Sequence, residues 1–166
     1  MTARRGNLLG FLACVCLLAY AYYAQFVLHL EPCPLCIFQR VGIFALGVIF
    51  LVATLHDPAA FGRRVYAVLL TLAALATIGI ALRHLYIQNL PPGAVPSCGA
   101  SLDFMFKVFS LSEVLVKVLT GSGECAKITW RFLGLAMPAW VLISALVLGA
   151  WGAWANLRHQ PPVLRF

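Results

Sequence analysis

Apolar and polar positions divide this chain into four long hydrophobic runs joined by polar breaks. No Asp, Glu, Lys or Arg occurs from Leu8 to Leu30, from Val41 to His56, from Val65 to Leu82, or from Met137 to Leu157. A helix crossing the hydrocarbon core needs roughly 20 apolar residues. The pattern therefore predicts an all-α integral membrane protein, a four-helix bundle in one domain over residues 1–166, with helices at about 8–30, 37–56, 65–89 and 138–157. The second run alone spans roughly 24 Å at helical rise, so its helix is expected to begin earlier, within Cys36 to Arg40. Arg4 and Arg5 precede the first run, and Ala19-Tyr20-Ala21 resembles a signal-peptidase site. A signal h-region usually holds only about 7–15 residues, however, so this run reads as a retained helix.

The breaks differ in kind. His56-Asp57-Pro58 and Gly62-Arg63-Arg64 read as one short turn. Residues 31–36 and 90–137 form two loops on the opposite side. The longer one opens with Pro91-Pro92-Gly93-Ala94-Val95-Pro96-Ser97-Cys98-Gly99, a density of Pro and Gly that opposes regular structure. Further on, Leu111, Val114, Leu115, Val118 and Leu119 recur at helical spacing, which predicts a short amphipathic helix lying in the membrane interface. Pro138 suits the first turn of the last helix, and Trp140, Trp151 and Trp154 suit the interfaces.

Composition sharpens this picture. The chain is 63% hydrophobic and 10% charged, against about 25% charged in soluble domains. Twelve basic residues oppose five acidic ones, but the arginines stand in small groups beside apolar runs. They read as orientation signals and anchors, with no patch for nucleic acid. Four spans put both termini on one side, with Arg4, Arg5, Arg63, Arg64, Arg158 and Arg165. Lys107, Lys117, Lys127 and Arg131 lie on the other, with Arg40 and Arg83 near its boundary. The numbers balance. The first group sits directly at helix ends in short segments, where the positive-inside bias is read most strongly, so the termini are expected in the cytoplasm.

The candidate chemistry lies in the six cysteines. Cys14 and Cys16 fall inside the first run and read as buried apolar packing. Cys33, Cys36, Cys98 and Cys125 fall in or beside the outer loops, which fits an oxidising compartment. They suggest two pairs, Cys33 with Cys36 and Cys98 with Cys125. A helix beginning near Cys36 favours negative charge at its N-terminus, and Arg40 lies one turn along the same face. Thiols on loop arms exchange with an outside thiol through mixed disulfides, and a Cys-x-x-Cys pair at the membrane edge could re-oxidise them. Ile37, not His, follows Cys36, so there is no haem attachment motif. No Gly-rich dinucleotide fingerprint is present. A lipid-soluble two-electron acceptor such as a quinone is the simplest sink.

Pro32-Cys33-Pro34-Leu35-Cys36-Ile37 with Arg40, the loop cysteines Cys98 and Cys125, and Phe132-Leu133-Gly134-Leu135-Ala136-Met137-Pro138-Ala139-Trp140 together resemble the bacterial disulfide bond formation protein B (DsbB) family, over essentially the whole chain. The resemblance implies an inner-membrane protein-dithiol:quinone oxidoreductase with periplasmic loops that re-oxidises a DsbA-type thiol oxidase and passes electrons to ubiquinone or menaquinone. It implies that a DsbA thiolate attacks Cys98, that Cys125 then attacks Cys33, and that Cys36 leaves as a thiolate facing the quinone. Arg40 matches the quinone-site arginine, and His84 aligns with a quinone-proximal histidine. Gln39 stands where some members carry an acidic residue. Two rival readings remain open: a structural zinc site on Cys33, Cys36, Cys98 and Cys125, and disulfides that merely brace the loops.

Overall fold

A computed structural model describes residues 2–91, 110, 113, 116, 123–126, 128 and 130–158. Its elements are α1 (Ala3–Phe26), α2 (Pro34–His56), α3 (Ala60–Gln88), a single turn α4 (Gly123–Ala126), a hairpin of β1 (Arg131–Phe132) and β2 (Leu135–Ala136), and α5 (Met137–Leu157). α1, α2, α3 and α5 are each long and apolar enough to cross a membrane. The fold is an all-α four-helix membrane bundle, with α1 against α2 and α5, α2 against α3, and α3 against α5.

Local sequence explains most helix ends. Pro34 occupies the first turn of α2, where the amide it lacks would find no helical partner. The helix consequently starts before Cys36, and Cys33 becomes its N-cap. Asp57 ends α2 in the left-handed region at φ 39°, and Pro58 cannot continue a helix. The turn is therefore complete by Ala59, and Gly62-Arg63-Arg64 belongs to α3, not to the turn expected from sequence. Gly62 is needed there, because a Cβ would meet Pro58 Cβ at 2.6 Å.

Inside a bilayer, close packing replaces water exclusion as the force between helices, and small residues let backbones approach. Cys14, Leu46, Phe50 and Leu70 fill the middle of the bundle. Gly10 and Gly152 both abut Phe50, and a Cβ on Gly149 would lie 2.7 Å from Ala74 Cβ. Thr54, Thr71 and Thr77 satisfy their hydroxyls by bonding the carbonyl four residues back. Large apolar side chains such as Leu12, Phe44, Leu72 and Val147 face outward, as lipid contact requires. Cys14 is fully buried but Cys16 is exposed. Both were expected to pack inside; residues two apart on a helix face different ways.

One end of the bundle is closed by polar groups. Asn7 and Asn156 exchange amide hydrogen bonds, and Trp151 Nε1 donates to Gly6 O at 2.9 Å. These contacts place the start of α1 beside the end of α5. Cys33, Cys36 and Cys125 occupy the opposite end.

The long loop contains a hairpin that the helical reading missed. Arg131 pairs with Ala136 and Phe132 with Leu135. Leu133 and Gly134 turn the chain with φ 51° and 80°, the positive values of a two-residue hairpin turn. At Ser110, the backbone N–H and the hydroxyl both donate to Glu113 Oε2, at 3.0 and 2.9 Å. Glu113 and Val116 are helical. The stripe Leu111, Val114, Leu115, Val118 and Leu119 lies outside the described residues, as does Cys98.

Candidate redox site

Cys33 precedes Pro34, and a residue before proline is held out of the helical region. It adopts φ −68°, ψ 163°, and its sulfur accepts the Cys36 amide at 3.4 Å. The same sulfur lies 3.0 Å from Cys36 Sγ, donating to it. The two thiols are not joined in this structure. The helix N-terminus thus serves the Cys33 sulfur directly, whereas the sequence suggested Cys36.

One turn later, Cys36, Gln39, Arg40 and Ile43 form a stripe at helical spacing along one wall of a cavity of about 350 Å³. Leu18, Tyr20 and Ala21 of α1 form a second wall. Trp130 and Phe132 of the hairpin region and Trp140 of α5 close the rest. The aromatic groups hold one another: Trp130 stacks on Phe132 at 5.9 Å, Phe132 lies 5.8 Å from Trp140, and Tyr20 meets Trp130 edge-on at 6.1 Å. Trp140 Nε1 donates to Phe132 O at 3.2 Å.

Arg40 does not reach for water as a free interface anchor would. Its guanidinium donates to Gln25 Oε1 and, at 3.0 Å, to Ala21 O. It also lies 5.4 Å from the centre of the Tyr22 ring. The cation is therefore fixed to α1 at the cavity edge.

His84 is brought to the cysteines and does not line this cavity. It is buried on α3, with Nε2 3.7 Å from Cys33 Sγ and 3.2 Å from Cys125 O. Its Nδ1 lies 3.1 Å from Gln39 Nε2. Cys125, on α4, is buried against Leu35 and Ile87. The Cys33 and Cys125 sulfurs and a His84 ring nitrogen all lie within 4.8 Å of one another. The sulfurs of Cys125, Cys33 and Cys36 thus form a path from the loop to the cavity. Sequence reasoning did not find Gln25, Tyr22, Trp130 or the link from Gln39 to His84. Gln25, an amide near the end of an apolar run, was the one local signal.

A four-helix bundle with a dithiol, a third cysteine and a histidine gathered at one end defines a multi-pass membrane protein with a built thiol site. The model of the family "Disulfide bond formation protein DsbB" matches residues 3–155, and the chain belongs to that family. Relatives named "Disulfide bond formation protein B" include that of Methylococcus capsulatus, 52% identical over 90% of this chain and 91% of the relative. Those of Nitrosococcus oceani and Chromobacterium violaceum are 51% and 48% identical, covering 88% and 96% of this chain and 86% and 96% of their own.

Proposed function

We propose that the protein is a disulfide-generating oxidoreductase of the bacterial inner membrane, re-oxidising a DsbA-type thiol oxidase at the expense of membrane quinone. The observation that carries this reading is the path of three sulfurs. Cys125 Sγ lies within 4.8 Å of Cys33 Sγ, Cys33 Sγ lies 3.0 Å from Cys36 Sγ, and Cys36 lines the cavity. Disulfide exchange needs a thiolate close to a disulfide sulfur, and Cys33 has both other sulfurs as near neighbours.

The relay runs in balanced steps. A thiolate of the partner attacks Cys98 of a Cys98–Cys125 disulfide and releases Cys125. The partner's second thiolate resolves the mixed disulfide and leaves oxidised. Cys125 attacks Cys33, and Cys36 departs as a thiolate. Cys98 then attacks Cys125 and releases Cys33. The Cys33–Cys36 dithiol ends with two electrons and two protons to dispose of.

The cavity suits a quinone headgroup: aromatic and aliphatic walls would hold a flat ring, and Cys36, Gln39 and Arg40 supply polar groups at one edge. A quinone bound there would accept the two electrons as the Cys33–Cys36 disulfide re-forms. Arg40, fixed by Gln25 and Ala21, would stabilise negative charge on Cys36 and on the ring oxygen. His84, expected to approach the quinone, would reach it only through Gln39. In this reading the termini are cytoplasmic and both cysteine loops periplasmic.

The grouping of Cys33, His84 and Cys125 favours a second reading, a thiolate metal site with Cys36 or Cys98. One feature weighs against it: His84 Nε2 already faces the Cys125 carbonyl oxygen at 3.2 Å, a contact that metal ligation through that nitrogen would break. Quinone reduction by the purified protein, driven by reduced DsbA-type oxidase and followed optically, separates the readings. Turnover supports the relay. An inert protein holding about one zinc on reduced thiols supports the metal site.

A further inference from the structure

His84 is held from three sides. Nε2 lies 3.2 Å from the Cys125 carbonyl oxygen, and such an oxygen only accepts hydrogen bonds. Nδ1 lies 3.1 Å from the amide nitrogen of Gln39, which only donates. Together the two contacts fit the neutral tautomer, with hydrogen on Nε2 and a bare Nδ1. The Nε2–H then points into the space shared by the Cys125 carbonyl and the Cys33 sulfur, the latter at 3.7 Å. That sulfur already accepts the Cys36 backbone amide at 3.4 Å. Two N–H groups, one from the helix end and one from the imidazole, therefore converge on Cys33. Arg40 bonds Gln25 and Ala21 and lines the cavity with Cys36.

We infer that His84 is a catalytic residue of the thiol relay, donating a hydrogen bond to the Cys33 thiolate as it leaves the Cys33–Cys125 mixed disulfide, and that Gln39 is a positioning residue that fixes its tautomer. The inference rests on the relay reading above and deepens it. In the step concerned, a new S–S bond forms between Cys98 and Cys125 as the bond between Cys125 and Cys33 breaks. The electron pair of the broken bond departs on Cys33; Cys98 is oxidised and Cys33 reduced. The Nε2 hydrogen stays on the imidazole throughout, so no proton acceptor is required. The buried polar contacts of His84 thereby acquire a use in the exchange, with the cavity left to Cys36 and Arg40.

The experiment uses the full chain in detergent, charged with a purified reduced DsbA-type oxidase and ubiquinone. Samples are quenched in acid, their thiols alkylated, and the Cys33–Cys125 species quantified by peptide mass. His84→Ala should make this species accumulate and resolve about 10- to 100-fold more slowly, the range expected for losing a hydrogen bond to a charged group. His84→Gln, whose amide N–H reaches toward the same place, should restore resolution to within a few fold. Gln39→Leu keeps the ring but frees its tautomer, and should slow the same step by less than His84→Ala; it carries the test if His84→Ala does not fold. Resolution at the wild-type rate in His84→Ala, or in Gln39→Leu where that variant carries the test, overturns the inference. So does a higher quinone requirement without accumulation, which would make His84 a quinone ligand. If the wild type itself never forms the Cys33–Cys125 species, the relay reading falls and this inference with it.

Discussion

Asn7 and Asn156 hydrogen-bond to each other twice, at 3.0 and 2.8 Å, across the whole length of the sequence and out of contact with solvent. Asn156 also donates to Gly152 O at 2.8 Å. The pair ties the start of α1 to the end of α5, at the end of the bundle away from the thiols. A buried amide deprived of its partner loses those bonds without gaining water. Asn7→Ala should destabilise the bundle by about 0.6–2 kcal/mol, the range for polar contacts between membrane helices. Asn7→Leu with Asn156→Leu should cost less than the sum of the single changes. Denaturation in detergent, monitored by circular dichroism, checks both; strict additivity would mean that the amides act independently.

Two helical glycines should respond oppositely to the same change. A Cβ on Gly149 would lie 2.7 Å from Ala74 Cβ, whereas Gly79 has nothing within 4 Å. Gly149→Ala should therefore push α5 from α3 and cost about 1–3 kcal/mol. Gly79→Ala should be neutral or stabilise by up to about 1 kcal/mol, through reduced backbone freedom. Thermal midpoints of the two variants test the contrast.

Leu133 occupies the left-handed region at φ 51° and is exposed at the hairpin tip. For a non-glycine residue this conformation costs roughly 1–2 kcal/mol, and Asn tolerates it better. Leu133→Asn should therefore raise stability by up to about 1 kcal/mol. An unchanged or lower midpoint would show that the leucine side chain contributes as much as the backbone strain removes.

Arg40 joins helix packing to the cavity. Arg40→Ala removes its bonds to Gln25 and Ala21 together with the positive charge at the cavity edge. The apparent KM for quinone should rise about 10- to 100-fold, in line with loss of charge-assisted hydrogen bonding. Arg40→Lys should recover only part of this, because one ammonium does not reproduce the planar fork. Unchanged quinone kinetics in Arg40→Ala would leave Arg40 as a tie between α1 and α2 alone.

The four helices were legible because hydrocarbon imposes a length and an apolarity that local sequence must meet. Their ends were less so. Pro34 shifted the start of α2 ahead of the expected Cys36, and Pro58 shortened the turn so that Arg63 and Arg64 became helical. The hairpin rests on Leu133-Gly134, a weak signal because leucine is not a usual residue for a positive φ. The candidate cysteines stood out by spacing, and the structure brings Cys33, Cys36 and Cys125 together. The surroundings of His84 were not legible. Its contacts come from Gln39 on α2 and Cys125 on α4, and only the packing of three separate elements sets their distances.

The most direct test of the relay compares quinone reduction by wild type, Cys125→Ser and Cys36→Ser, each driven in turn by reduced DsbA-type oxidase and by a small dithiol. The account predicts turnover by wild type with both donors. Cys125→Ser should work only with the small dithiol, which reaches the Cys33–Cys36 pair directly, and Cys36→Ser with neither. Quinone reduction by Cys36→Ser at the wild-type rate would contradict the account, because Cys36 is the sulfur through which the path opens on the cavity.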